Sequence, residues 1–247
     1  MSTGYHWLAE HYDSLISIDR TPLDAVRRHI LDPVLPEVTS ACELACGTGT
    51  TAISLASQCI RMFAVDLSPE MCRVAAAKAR RAKVLLTVLR ADMRTFRLPE
   101  KVDLVTCEGD AINHLPGKAD LARVAKAVAR ALKPGGYFFF DLNNRLGFKE
   151  YWGATMYREW RGVVVVLRGT LDLPNDHAWI DVDWFVRRGA CWKRGHERVD
   201  EICWRPAEIR AALRSAGFAS IRAWDSAPFF RSVVKPGCRT VYLARKP

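Results

Sequence analysis

Residues 42–50, CELACGTGT, constrain the fold of this chain more than any other stretch. A short apolar approach through Val38, Cys42 and Leu44 predicts a buried strand, Gly47 and Gly49 a tight turn, and Thr50 to Ser57 a following helix. Glycine leaves no side chain between backbone and ligand, and a helix start offers free N–H groups, so the unit is a nucleotide-binding turn. Gly-x-Gly alone is a common pattern. Continued to Ala52 it also satisfies a dinucleotide fingerprint.

The next two apolar runs narrow the choice. Ile60 to Val65 ends in Asp66, about twenty residues past Gly47, where a carboxylate can accept hydrogen bonds from both ribose hydroxyls of an adenosine. Val84 to Leu89 ends in Ala91-Asp92-Met93, which would put an acceptor and a flat thioether beside an adenine. Successive strand ends thus converge on one nucleoside.

Taken together, ELACGTGT, AVDLSPEM, RADM and ALKPGGYFFFD resemble the class I S-adenosylmethionine-dependent methyltransferases over most of the chain. The resemblance implies an α/β fold, a seven-stranded Rossmann-like sheet flanked by helices, with S-adenosyl-L-methionine as cofactor. It places Gly47 and Gly49 beside the methionine part, Asp66 at the ribose, and Asp92 with Met93 near the adenine. Ala45, Leu67 and Cys107 join them in the cofactor-binding set, and Glu43 matches an acidic residue that organises the site through a network. Met71, in the first turn of a helix capped by Ser68, either lines the adenine or packs in the core.

Composition sets the outer limits. With 247 residues, 49% hydrophobic and 26% charged, the chain can build one sizeable core or a domain with an insertion. The eight cysteines form no Cys-x-x-Cys pair and read as reduced core residues, and no apolar run has the length of a membrane span, so a cytoplasmic location is expected. Scattered histidines give no metal-ligand set. The net charge of +10 invites a polyanion, but Arg73, Lys78, Arg80, Arg81 and Lys83 cluster on one helix and no basic tail exists. Nucleic acid is therefore disfavoured as the substrate, and a homodimer is left open.

Four segments are expected: an N-terminal helical lid over 1–36, a cofactor-binding core over 37–150, an antiparallel β substrate cover over 151–205, and a final helix with a β-hairpin over 206–247. In the first, short helical pieces carry Trp7, Leu8 and the pair Tyr12-Asp13, ahead of a helix from Pro22 to Leu35. In the core, a fourth run, Val102 to Cys107, opens into EGDAINHL. Ligands collect outside the C-terminal ends of such strands, so Asp110 and Asn113 are candidates to bind a polar substrate and His114 to orient an acceptor or take a proton. Capping of a helical turn would explain the same residues. A helix over Leu121 to Leu132 ends at Lys133-Pro134-Gly135-Gly136, and the strand Tyr137 to Phe140 runs into Asp141 and Asn143, a further substrate-side candidate.

The insertion reads as strand-rich pieces over Arg161 to Asp172, Trp179 to Arg187 and Trp192 to Trp204. It resembles the branch of sugar-amine and glycine-type N-methyltransferases, in which an added sheet covers the substrate. That resemblance implies acceptor-site roles for His114 and Tyr12, with Tyr12 also facing the cofactor. His196 is a further substrate-binding candidate from the insertion. The expected activity is methyl transfer to a small-molecule amine or hydroxyl. A noncatalytic cofactor-binding scaffold, an NAD-linked oxidoreductase and an RNA methyltransferase are the alternatives.

Overall fold

The computed structural model describes residues 9–15, 21–225 and 238–247. Trp7, Leu8, Pro228, Pro236 and Gly237 lie outside them. The elements are α1 (Tyr12–Leu15), α2 (Thr21–Leu31), β1 (Ser40–Leu44), α3 (Thr50–Ala56), β2 (Arg61–Asp66), α4 (Pro69–Ala82) and β3 (Leu86–Arg90). There follow β4 (Val102–Cys107), α5 (Lys118–Ala131), β5 (Leu132–Asn143) and α6 (Arg145–Tyr151). The insertion holds β6 (Thr155–Trp160), β7 (Val163–Asp172), β8 (His177–Arg188) and β9 (Cys191–Ile202), and the chain closes with α7 (Pro206–Ser215), β10 (Ser220–Asp225) and β11 (Arg239–Arg245).

A seven-stranded sheet runs in the order β10-β11-β5-β4-β1-β2-β3. Strands β1 to β5 pair in parallel, and β11 is antiparallel to both β5 and β10. All five residues of β1 are buried, as a strand covered on both faces requires. Its alternating side chains feed two cores. Cys42 and Leu44 join Phe138, Phe140 and the apolar stripes of α5 and α7, while Ala41 joins Phe139, Leu243 and the stripes of α2 and α3. Strand order reverses between β1 and β4, so the ligand-binding crevice of such a sheet falls at their C-terminal ends.

The second sheet is antiparallel, in the order β6-β7-β8-β9. Val163, Val165, Val182, Trp184 and Val199 share one of its faces and pack with Leu15 of α1. Gly195 is required there because a Cβ would stand 1.8 Å from the Trp184 ring. Trp179, Asp181, Asp183 and Phe185 occupy the opposite face.

Some local expectations need correction. α2 ends at Leu31 rather than Leu35, because Pro33 cannot continue it, and a 3₁₀ turn follows over Leu35–Glu37. Lys133-Pro134-Gly135-Gly136 belongs to β5, whose register shifts between Val102 and Leu104; Gly135 and Gly136 trade backbone hydrogen bonds with Lys246. The expected pieces of the insertion omitted β6, whose residues are all exposed and carry no alternation. Cys59 and Cys191 are exposed rather than core residues, one after α3 and the other at the β8–β9 hairpin. Among the described residues, no helix is long and apolar enough to cross a membrane.

Candidate active site

Around the glycine turn the backbone is wound by three left-handed residues, Ala45 (φ 49°), Gly47 (φ 53°) and Gly49 (φ 76°). Gly49 lies against α4, where a Cβ would come within 2.9 Å of Ala75. Gly47 is different: a Cβ there would meet nothing within 4 Å among the described residues, which leave the turn facing open space. One glycine lets helices approach, and the other leaves room for a ligand.

Asp66 borders that space. Its carboxylate accepts from the Gly47 N–H and the Ser68 N–H, each at 2.8 Å, which leaves acceptor capacity for two hydroxyls. Burial pushes its pKa up, against the pull of those N–H groups. Glu43 is buried and accepts from the Ala52 N–H at 2.7 Å, so it satisfies one of the orphan donors opening α3. Met71 is buried in the first turn of α4, and Met93 packs against the core. Leu67 is 44% exposed beside Asp66, while Cys107 is fully buried and its thiol is pushed well up by desolvation.

Asp92 is less open than its position suggested. Arg94 clamps it, with Nε at 2.9 and 3.0 Å, Nη2 at 2.5 Å and its backbone N–H at 2.8 Å, and reaches on to Asp120 at 3.2 Å. These bonds hold the Asp92 pKa down. Both oxygens are engaged.

The N-terminal segment docks beside the turn. Asp13 accepts from Thr48 Oγ1 at 2.6 Å and from Lys78 Nζ at 2.5 Å, and Lys78 also donates to Thr50 Oγ1 at 2.8 Å. Glu10 pairs with Arg73 at 2.6 Å. The half-buried Tyr12 is therefore held next to the glycine turn by its neighbour's carboxylate. Behind it, Arg27 of α2 bonds Glu108 at 2.9 Å, both buried.

On the other side of the strand reversal a second assembly forms. Gly109 (φ 77°) and Asp110 (φ 56°) are consecutive left-handed residues, and their N–H groups both point at Asp141, at 2.8 and 3.2 Å. Arg239 of β11 also bonds Asp141 and lies 3.4 Å from Asp110. The Asn143 amide donates to Asp110 at 2.7 Å. Asn113 is wholly buried and spends its side chain on backbone: it donates to the carbonyls of Asn143 and Ile202 at 3.0 and 2.8 Å and accepts from the Asn143 N–H at 3.0 Å. It joins the end of β5 to the end of β9. His114 is half-buried, with Nδ1 3.4 Å from the Asp200 carbonyl.

Asp110, Asn113, His114 and Asn143 thus come together, and Tyr12 is brought to the glycine turn. His196 is not with them. It sits on the face of the insertion opposite Leu15, within 3.3 Å of Asp183, in an ion cluster with Arg168 and Arg194. The sequence reading missed Arg239, Arg94 and Lys78. Arg94 stands two residues after Asp92, a short-range signal for a clamp, whereas nothing local marks Arg239 as a partner of Asp141.

The open space over Gly47, the spare acceptors of Asp66 and the buried Met71 fit a nucleoside with a flexible amino-acid tail. The comparisons agree. A methyltransferase-domain family matches residues 41–136. A protein of Bacillus subtilis (strain 168) that carries a methyltransferase name, YqeM, is 29% identical over 223 residues, 87% of this chain and 86% of that one. The crystal structure of an S-adenosylmethionine-dependent methyltransferase from Clostridium acetobutylicum ATCC 824 superimposes with a TM-score of 0.79 at 26% identity, covering 98% of each chain. The dTDP-3-amino-3,6-dideoxy-alpha-D-glucopyranose N,N-dimethyltransferase of Streptomyces fradiae is 32% identical over 111 residues, spanning 45% of this chain and 40% of that enzyme. With the sheet order, the glycine turn and these likenesses in hand, the protein is an S-adenosylmethionine-dependent methyltransferase of Rossmann-like fold, its matched methyltransferase domain spanning residues 41–136.

Proposed function

We propose that the protein methylates the amine of a small-molecule acceptor held between the ends of β4 and β5 and the insertion. The observation that carries this reading is the junction made by Asn113, which fastens the substrate-cover sheet directly to the polar strand end. A partial likeness to a sugar-amine dimethyltransferase supports the amine.

S-adenosylmethionine supplies an electrophilic methyl on a sulfonium. Gly47 and Gly49 would hold its methionine part, Asp66 its ribose, and Leu67, Met71 and Met93 its adenine, with Ala45 and Cys107 alongside. Asp92 shapes its own turn through Arg94, and Glu43 fixes the start of α3. The remaining task is alignment of nucleophile, methyl and sulfur with water excluded. An ammonium has no lone pair, so the acceptor must lose a proton before attack, and His114 and Tyr12 would take it or orient the nitrogen.

The test is release of S-adenosylhomocysteine with a panel of small amines and matched alcohols. His114→Asn is expected to lower turnover roughly a hundredfold while cofactor affinity stays as in the parent protein. Undiminished turnover would remove His114 from the chemistry.

A further inference from the structure

Where the end of β9 meets the ends of β4 and β5, Arg239 meets two carboxylates, and a third, Glu201, lies near enough to feel their charges; among the described residues the acids outnumber the base. Arg239 is 7% exposed and committed to Asp141, which also takes the N–H groups of Gly109 and Asp110. Asp110 accepts the Asn143 amide at 2.7 Å and lies farther from Arg239, at 3.4 Å, with 23% of its side chain exposed. The third carboxylate is Glu201 of β9. It is 2% exposed, on the same face of the insertion as Val199, and its Oε2 has no hydrogen-bond partner among the described residues.

An unpartnered carboxylate oxygen at that depth is costly. Among the described residues, the charges that act on Glu201 are Asp110 and Arg239; those that act on Asp110 are Arg239, His114 and Asp141. Burial pushes Glu201 well above the usual carboxylate range, Asp110 pushes it further, and Arg239 only partly offsets them. Burial raises Asp110 too, against Arg239 and His114. Burial and the neighbouring charge of Asp110 therefore both favour the protonated form of Glu201. Asp110 is the member of the junction that reaches the surface.

We propose that Asp110 is the counter-charge for a cationic amine acceptor and that Glu201, behind it, is a positioning residue that sets how much negative charge Asp110 retains. This rests on the amine reading given above and adds the acceptor's charge and a residue from the insertion. An ammonium neutralises the surplus at the junction. A hydroxyl gains nothing from it, and an anion is repelled.

The experiment uses the full chain loaded with S-adenosylhomocysteine and titrates it calorimetrically with 3-amino-3-deoxyglucose, glucose and glucuronate. The amino sugar is expected to bind roughly tenfold or more tightly than glucose, and glucuronate weakest. Asp110→Asn should erase that preference with cofactor affinity kept. Glu201→Gln is a permanent mimic of the protonated acid. It should match the parent at low pH, and the parent-to-variant affinity ratio should grow as pH rises and Glu201 ionises; taking the ratio cancels titration of the amine itself. A ratio flat with pH reduces Glu201 to packing, and glucose or glucuronate binding as well as the amino sugar overturns the assignment. If Glu201→Gln does not fold, the Asp110→Asn arm decides alone. Methylation of an alcohol with no amine accepted would sink the cation assignment and leave methyl transfer standing, whereas failure of every sugar to bind would count against the small-molecule amine reading as well.

Discussion

On the β2 side of the cleft, Asp66 is held by N–H groups 19 and 2 positions away, those of Gly47 and Ser68; on the β5 side, Asp141 is held by the N–H of Gly109, 32 positions away, and by Arg239, 98 positions away. The first site is one strand-turn-helix-strand unit whose donors are backbone. The second is assembled from β4, β5, β9 and β11, and its central contact is an ion pair with both partners buried. Backbone donors cost nothing to keep when a neighbouring side chain changes. A buried ion pair fails as a unit, because removing one partner strands the other.

That contrast sets the order of the effects. Arg239→Met is expected to be the largest, a loss of roughly 3–5 kcal/mol of folding stability in denaturant titration, because Asp141 and Asp110 are left without their cation. A loss below about 1 kcal/mol would show that the two sides are built alike. Asp66→Asn should instead spare the fold and weaken S-adenosylmethionine binding by about 1.5–3 kcal/mol, ten- to more than a hundredfold by calorimetry. Equal affinity in the two proteins would take Asp66 off the ribose.

Asp183, on the outer face of the insertion, is a control remote from the Asp110 junction. Burial raises its pKa, but hydrogen bonds from Arg194, Arg168 and His196 outweigh this and bring it to about 2. An unfolded aspartate titrates near 3.9. A depressed folded value means stability that is present above that pH and lost as pH falls from about 4 through about 2. The difference in melting temperature between the parent and Asp183→Asn should therefore be constant near neutrality and shrink over that acid interval. A difference that widens there would reverse the assignment.

The smallest effect belongs to Lys78→Met. Its clasp on Asp13 is partly exposed, with side-chain exposures of 26% and 43%, so about 0–1 kcal/mol of stability is at stake. Cofactor affinity should fall a few-fold at low salt and converge with the parent at high salt. Identical affinity at low salt would separate the docking of α1 from the cofactor.

Much of the cofactor side was legible because its rules are local. A glycine that must wind left-handed, an acid at a strand tip and Ser68 as a helix cap, with Met71 N–H on its hydroxyl at 3.2 Å, follow from spacing alone. The same logic reached Asp110, Asn113 and Asn143 as a polar strand end, but it could not assign their bonds. Asn113 reads as a substrate ligand until its amide is seen spent on Ile202, 89 positions away. His196 reads as a site residue until the register pairs it with Asp183 on the outer face.

By itself, then, the sequence determined the parallel core, its glycine turn and the identity of the strand-end residues, since strand period, left-handed turns and caps are decided within a few residues. Only the tertiary structure decided which carboxylates share Arg239, which face of the insertion meets Leu15, and that Glu201 lies buried with no partner for Oε2 among the described residues. Those outcomes depend on desolvation and on contacts between elements brought together by the sheet order, and neither quantity has a local signature along the chain.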